Sequence, residues 1–196
     1  MNIFGRWFLA NVVGMTIGLG THPFLAHGFT GLHGDTMTAL QWIAHIISFG
    51  LASGIIFFCQ RKAEPALFQS GAAPVFRASA LATLAFLGVW SLAGIPFDIL
   101  ASFLAFGLSL GLALRNRTTT AVLALAATTA GAGIITVGSG LPIAGKLRAA
   151  FGGGVAGDAT LWTYIGVVGG VSSGLLGSFA LRYMIANDSA AKVKEV

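Results

Sequence analysis

The chain has 196 residues, of which 56% are hydrophobic and 9% are charged. Soluble domains carry about 25% charged residues, so this composition excludes an ordinary soluble fold and predicts one integral membrane domain. The formal net charge is +5, but no basic stripe with interleaved aromatic residues occurs, and we expect no nucleic-acid partner. The single cysteine, Cys59, excludes an internal disulfide.

Six apolar segments predict an all-α membrane protein with six transmembrane helices in a single domain, residues 1–186. The first segment contains Pro23 and is too long for the apolar region of a cleaved signal peptide, so we expect it to be retained. Residues 187–196 predict a short, disordered cytoplasmic tail. The predicted spans are residues 7–27, 39–59, 78–95, 97–114, 118–141 and 161–184.

The third and fourth spans are separated by a predicted turn rather than joined in one helix. Residues 78–114 contain a single charge, Asp98. One helix of that length would measure about 55 Å, whereas the hydrocarbon core is about 30 Å thick. Pro96 disfavours helix at the residue before it, so residues 94–98 predict a tight turn that holds Asp98.

Basic residues concentrate on one side of the membrane in this arrangement. Nine of the 11 lysines and arginines lie on the side that holds both termini, and two lie on the other side. Because cytoplasmic loops carry an excess of Lys and Arg, both termini are predicted to be cytoplasmic, in a bacterial inner membrane. The nine are Arg6, Arg61, Lys62, Arg77, Arg115, Arg117, Arg182, Lys192 and Lys194, and the two are Lys146 and Arg148.

Pairs of glycines four residues apart occur on the second, fourth and sixth spans, each shortly before an arginine. Such glycines lie on one helix face, where a neighbouring backbone can approach closely within a bilayer. The three copies share one orientation, so the chain is predicted to consist of three consecutive helical hairpins in parallel pseudo-repeat. The predicted helix-packing glycines are Gly50 and Gly54, Gly107 and Gly111, Gly170 and Gly174, and a further pair in the first span, Gly14 and Gly18.

Two long connections differ in predicted character. Residues 60–79 form the longest cytoplasmic connection, and its apolar residues, Phe68 and Phe76 among them, are predicted to lie along the lipid surface. Residues 142–160 begin with Pro142 and are rich in glycine, which predicts a flexible outer connector.

Polar residues that could form a site gather on the outer side. Histidine is a common ligand for zinc, copper and nickel, and carboxylates can complete such a site. His45 should lie one turn inside the second span, where polar side chains face protein or a water-filled cavity. The histidines follow no strong ligand spacing, so the alternative is that they are interfacial or hydrogen-bonded structural residues. The candidates for a polar or metal site are His22, His27, His33, Asp35, His45 and Asp158.

Two function classes remain open. One is a transport or channel component for a small solute or ion, suggested by the pseudo-symmetry, the glycine-rich helices and the polar outer residues. The other is a non-catalytic subunit of a larger membrane complex, which would hold partner helices or a lipophilic cofactor. An enzyme is the least supported class. The expected partners are the lipid bilayer and either other membrane subunits or further copies of the chain.

Overall fold

The computed structural model describes residues 2–30, 39–63, 65, 67–69, 71, 73–93, 96–115, 118–152 and 154–194. These residues contain no β-sheet, and the prediction of an all-α fold is confirmed for them. The helices are α1 (Ile3–Thr30), α2 (Ala39–Ala63), α3 (Ala73–Ala93), α4 (Phe97–Leu112), α5 (Thr119–Ile135), a π-helical segment (Thr136–Gly140), α6 (Leu141–Ala150) and α7 (Val155–Lys194).

The helices close into a ring in chain order. The π-helical segment joins α5 and α6 into one continuous helix, each helix packs on the next, and α7 also packs on α1. Neighbours are antiparallel: along α1, for example, Gly14 lies beside Ile56 of α2 and Gly18 lies beside Ala52. One end of the ring therefore collects the first residues of α1, α3 and α5 and the last turns of α2 and α4. We call it the basic end, because it holds Arg6, Arg61, Arg77, Arg115 and Arg182.

Three helices in the described part of the chain are long and apolar enough to cross a membrane. They comprise residues Ile3–Phe24, Thr119–Ala150 and Val155–Ala186, and two shorter apolar helices lie between them in the ring. Large apolar side chains are exposed on the outside of the ring, up to 90% for Leu92. Such a surface fits contact with lipid better than contact with water.

Pro142 does not end a helix, although the sequence predicts a connector from this residue onward. The chain stays helical from Thr119 to Ala150 and widens into the π-helical segment just before Pro142. Proline has no N–H group to bond the preceding turn, and a π-helical turn is one way in which a helix accommodates that loss. The chain turns only between the end of α6 at Ala150 and the start of α7 at Val155. In this short turn Gly152 and Gly154 adopt φ of +77° and +83°, values that only glycine adopts readily.

The last helix is also longer than expected. Helix α7 has 40 residues and runs to Lys194, so residues 187–194 are helical where the sequence predicts a disordered tail. Alanine and lysine are strong helix formers, and both occur in this stretch, which explains why the helix continues.

The glycine pairs face neighbouring helices at unequal distances. A Cβ atom placed on Gly170 of α7 would lie 2.7 Å from Val12 Cα of α1, and one on Gly111 of α4 would lie 2.8 Å from Val122 Cα of α5. A Cβ atom on Gly54 of α2 would lie 3.5 Å from the side-chain oxygen of Ser79 in α3 and would not touch the α3 backbone. The α7–α1 and α4–α5 contacts therefore require glycine, whereas the α2–α3 contact has room for a methyl group.

Candidate functional site

A cavity of about 60 Å³ lies at the centre of the ring. Helices α1, α2, α3, α4 and α7 all contribute to its wall. Two of the twelve lining residues are polar, Ser53 and Ser102, and none is charged. The wall is therefore almost entirely apolar, which suits an uncharged molecule. The lining residues are Met15, Leu19, Ser53, Ile56, Ala82, Phe86, Ile99, Ser102, Phe103, Phe106, Trp162 and Ile165.

An aromatic layer bounds the cavity on the side away from the basic end. Trp162 of α7 meets His22 of α1 edge to face, with ring centroids 5.1 Å apart, and meets Phe86 of α3 at 6.1 Å. His22 is 3% exposed although it lies near the end of the predicted first span. Edge-to-face contacts of this kind stabilise aromatic pairs beyond their buried area. We call these three residues the distal layer.

A second aromatic layer closes the ring at the basic end. Phe68, from the connection between α2 and α3, stacks on Trp7 with centroids 6.2 Å apart and meets Phe57 at 5.8 Å. All three side chains are at most 1% exposed. The prediction that Phe68 lies on the lipid surface is wrong, whereas Phe76 is 75% exposed as expected. We call Trp7, Phe57 and Phe68 the basal layer.

Backbone hydrogen bonds hold Phe68 in this inward position. The Gln69 N–H group donates to Ala113 O, and the Arg115 N–H group donates to Leu67 O, each at 2.9 Å. These two bonds form a short antiparallel bridge between the connection and the end of α4. The Gln69 side-chain amide adds a third bond, to Leu114 O at 3.1 Å. The connection is thus tied across the ring, which turns Phe68 inward.

A pair of buried amides lies close to the basal layer. Gln60 Nε2 donates to Asn11 Oδ1 at 2.7 Å, and Asn11 Nδ2 donates to Trp7 O at 2.9 Å. Asn11 and Gln60 are each 1% exposed. Gln60 Oε1 and Trp7 Nε1 have no hydrogen-bond partner among the described residues. Burying unpaired polar atoms is costly, so these two atoms lower the stability of this part of the interior.

The sequence predicts Asp98 in the turn at residues 94–98, but it lies in the first turn of α4, where it is completely buried. Its Oδ1 accepts a hydrogen bond from the Ile99 N–H group at 2.6 Å, while Oδ2 has no partner in the described part of the chain. Ser102, one turn further along the same helix face, lines the cavity and donates to Asp98 O at 2.8 Å. The carboxyl group therefore lies near the cavity wall but is not part of it.

The structure places the described residues of the predicted outer polar or metal site in different environments. His22 belongs to the distal layer. Asp158 lies one helical turn before Trp162 in the first turn of α7 and forms an ion pair with Arg148, which is half exposed. Among the described residues no three His, Cys, Asp or Glu side chains come together. The side chains of His27, His33, Asp35 and His45 lie outside the described residues, so the metal hypothesis stays a prediction.

Sequence reasoning missed the residues that shape the cavity. Phe86, Phe103 and Phe106 occur in segments that are apolar throughout, and nothing in their spacing separates an inward phenylalanine from one that faces lipid. The inward position of Phe68 depends on pairing with a segment about 45 residues later, which local patterns do not reveal. Asn11 and Gln60 carried a usable signal, because amides inside or beside apolar spans usually face protein.

Three features distinguish the interior of the ring. They are the central cavity, the two aromatic layers and the amide pair of Asn11 and Gln60. An apolar wall without charged side chains suits a small uncharged molecule better than a charged one. No protein-family model, curated protein or solved structure matches the chain.

Proposed function

We propose that the chain is an integral membrane protein of the bacterial inner membrane whose six helices span the bilayer, with both termini in the cytoplasm. Three helices have the length and apolarity for this. The shorter helices pack between them in the same ring, so they would lie in the same layer of lipid. The excess of basic residues at one end supports the orientation.

The glycine pairs support an internal repeat of three hairpins, α1–α2, α3–α4 and α5–α7. Each pair faces the first helix of the following hairpin: Gly54 faces α3, Gly111 faces α5, and Gly170 faces α1. The same sequence pattern thus occupies the same place at all three junctions between hairpins. This placement is what a parallel pseudo-repeat closed into a ring would produce.

For this protein we propose a role as a transport component that binds a small uncharged solute in the central cavity. The observation that carries this proposal is the cavity itself, whose wall is apolar apart from Ser53 and Ser102 and contains no charged residue. A charged solute would lose its hydration without gaining a partner, because no lining residue is charged. A volume of about 60 Å³ admits a solute of a few non-hydrogen atoms, of the size of urea or ethylene glycol.

The alternative of a subunit that holds a lipophilic cofactor inside the ring has less support. Pockets for ligands of that size measure about 300–1,000 Å³, several times the volume of this cavity. A cofactor could therefore enter the ring only after the helices had separated.

Solute entry into proteoliposomes tests the transport proposal. We expect purified protein to accelerate the entry of at least one of urea, ethylene glycol and glycerol, measured by light scattering after an osmotic step. Ala82→Leu, which fills the cavity, should return the rate to that of protein-free vesicles. Ala127→Leu places the same side chain on an exposed part of α5 and should retain the rate.

Two results would decide against transport. One is a folded protein that accelerates none of the three solutes. The other is acceleration that Ala82→Leu and Ala127→Leu leave equally intact. Stoichiometric co-purification with other membrane proteins, together with an absence of flux, would favour the non-catalytic subunit.

A further inference from the structure

A groove of about 410 Å³ opens on the outside of the ring between α3 and α4, at the basic end. It is separate from the central cavity and faces the surroundings of the ring. Apolar side chains form most of its wall, and Phe76, Leu81, Leu84 and Leu112 are 46% to 75% exposed. An open apolar groove of this size is filled by lipid when the ring lies in a bilayer.

A positively charged side chain, Arg77, lies at the end of the groove nearest the basic end of the ring. Arg77, in the second turn of α3, is exposed and lines the groove together with Gln69. Gln69 is fixed in place by its hydrogen bonds to Ala113 and Leu114. None of the described residues that line the groove is acidic. The groove therefore combines a positive charge at the level of the headgroups with an apolar wall that extends about two helical turns deeper, to Leu84.

We propose that this groove binds one acidic phospholipid, whose phosphate contacts Arg77 and whose acyl chain lies along Leu81, Leu84 and Leu112. The inference rests on the proposed placement of the ring in a membrane, but not on transport through the central cavity. Basic residues at the cytoplasmic ends of helices attract anionic lipids because of the charge on that leaflet. A free anion would use only the arginine and would leave the apolar wall uncovered.

Native mass spectrometry of the detergent-purified protein tests the proposal, with phosphatidylglycerol and phosphatidylcholine of identical acyl chains as probes. We expect the first phosphatidylglycerol to bind about fivefold more tightly than phosphatidylcholine, the effect of one basic residue near a membrane surface. Arg77→Gln should remove that preference. Arg182→Gln, which removes the same charge from the basic end of α7, should retain it.

A second variant tests the apolar wall. Leu84→Trp places a large side chain in the groove and should weaken binding of both lipids, while leaving a free anion unaffected. Inorganic phosphate, added alone at the same concentration as the lipid, should not displace phosphatidylglycerol. The proposal is overturned if the wild-type protein binds both lipids equally, if Arg77→Gln keeps the preference, or if phosphate displaces the lipid. Lipid binding without solute flux would remove the transport role and leave this site standing.

Discussion

Gln60 and Asn11 form a buried side-chain hydrogen bond, 2.7 Å from Nε2 to Oδ1, that joins α2 to α1. Both side chains are 1% exposed, so the bond lies in the interior of the ring. Hydrogen bonds between membrane helices contribute about 0.6 kcal/mol on average and up to about 1.7 kcal/mol. This bond spans the contact that closes the first hairpin, so its effect on stability can be isolated by mutation.

A double-mutant cycle should show that the two amides are coupled. Gln60→Leu leaves Asn11 Oδ1 buried without its donor, and Asn11→Leu leaves the Gln60 amide without its acceptor, so each should lower the free energy of unfolding by about 1–3 kcal/mol. The double variant, which removes both polar groups, should cost less than the sum. Unfolding by denaturing detergent gives the three values. Strictly additive losses would mean that the bond contributes nothing to the fold.

Gly170 and Gly54 belong to the same sequence pattern, but their surroundings predict that they differ in their tolerance of alanine. Gly170→Ala should lower the free energy of unfolding by about 1–3 kcal/mol, because its Cβ would lie 2.8 Å from Asn11 O and 2.7 Å from Val12 Cα. Backbone atoms cannot move aside as a flexible side chain can, so α7 and α1 would have to separate. Thermal unfolding in detergent measures the loss.

Gly54→Ala and Gly88→Ala are the matched controls for Gly170→Ala. At Gly54 the new methyl group would be in ordinary contact with Ser79 Oγ, and at Gly88 no atom beyond the adjacent backbone of the same helix lies within 4 Å. Neither change should lower the free energy of unfolding, and each can raise it by up to about 1 kcal/mol because alanine is a better helix former than glycine. Equal destabilisation at all three positions would contradict the close-packing explanation, because of the three only Gly170 lies against the backbone of another helix.

The sequence predicted the existence and order of the helices better than their ends. Apolar length is a property of each segment, and it located all six helical rods of the described chain. Pro23 and Pro142 were expected near the ends of spans, yet both lie within helical stretches. In a packed membrane helix, neighbouring groups can satisfy the carbonyl that a proline leaves without a partner, so a proline need not end the helix.

The central cavity could not be predicted because it depends on contacts between distant segments. Its wall comes from five helices that are distant in the sequence. Hydropathy separates lipid from water but does not separate lipid from an apolar protein interior. The polar residues Asn11, Gln60 and Asp98 are therefore the better sequence guide to the inside of the ring.

Phe68→Ala should destabilise the protein strongly although the residue lies in a connection. Its ring is 1% exposed and packs against Trp7 and Phe57, so its removal leaves a cavity that should cost about 3–5 kcal/mol. Phe76→Ala removes the same side chain from a position that is 75% exposed and should cost far less. Thermal unfolding of the two variants in the same detergent makes the comparison. A larger loss for Phe76→Ala would contradict the inward position of Phe68.

Cysteine labelling should place the two ends of the ring on opposite sides of the membrane. In a Cys59→Ser background, Lys62→Cys lies in the exposed last turn of α2, and Ala150→Cys lies at the exposed end of α6. A maleimide that cannot cross the membrane should label Ala150→Cys in intact spheroplasts, and Lys62→Cys only in inverted vesicles, since basic residues favour the cytoplasm. Labelling of both cysteines from one side would contradict the proposed six-span arrangement, because α3, α4 and the α5–α6 helix, which lie between the two positions, would then not all cross the bilayer. If instead Lys62→Cys were labelled in intact spheroplasts and Ala150→Cys only in inverted vesicles, the six spans would stand but their orientation would be reversed. The basic end would then face the outside.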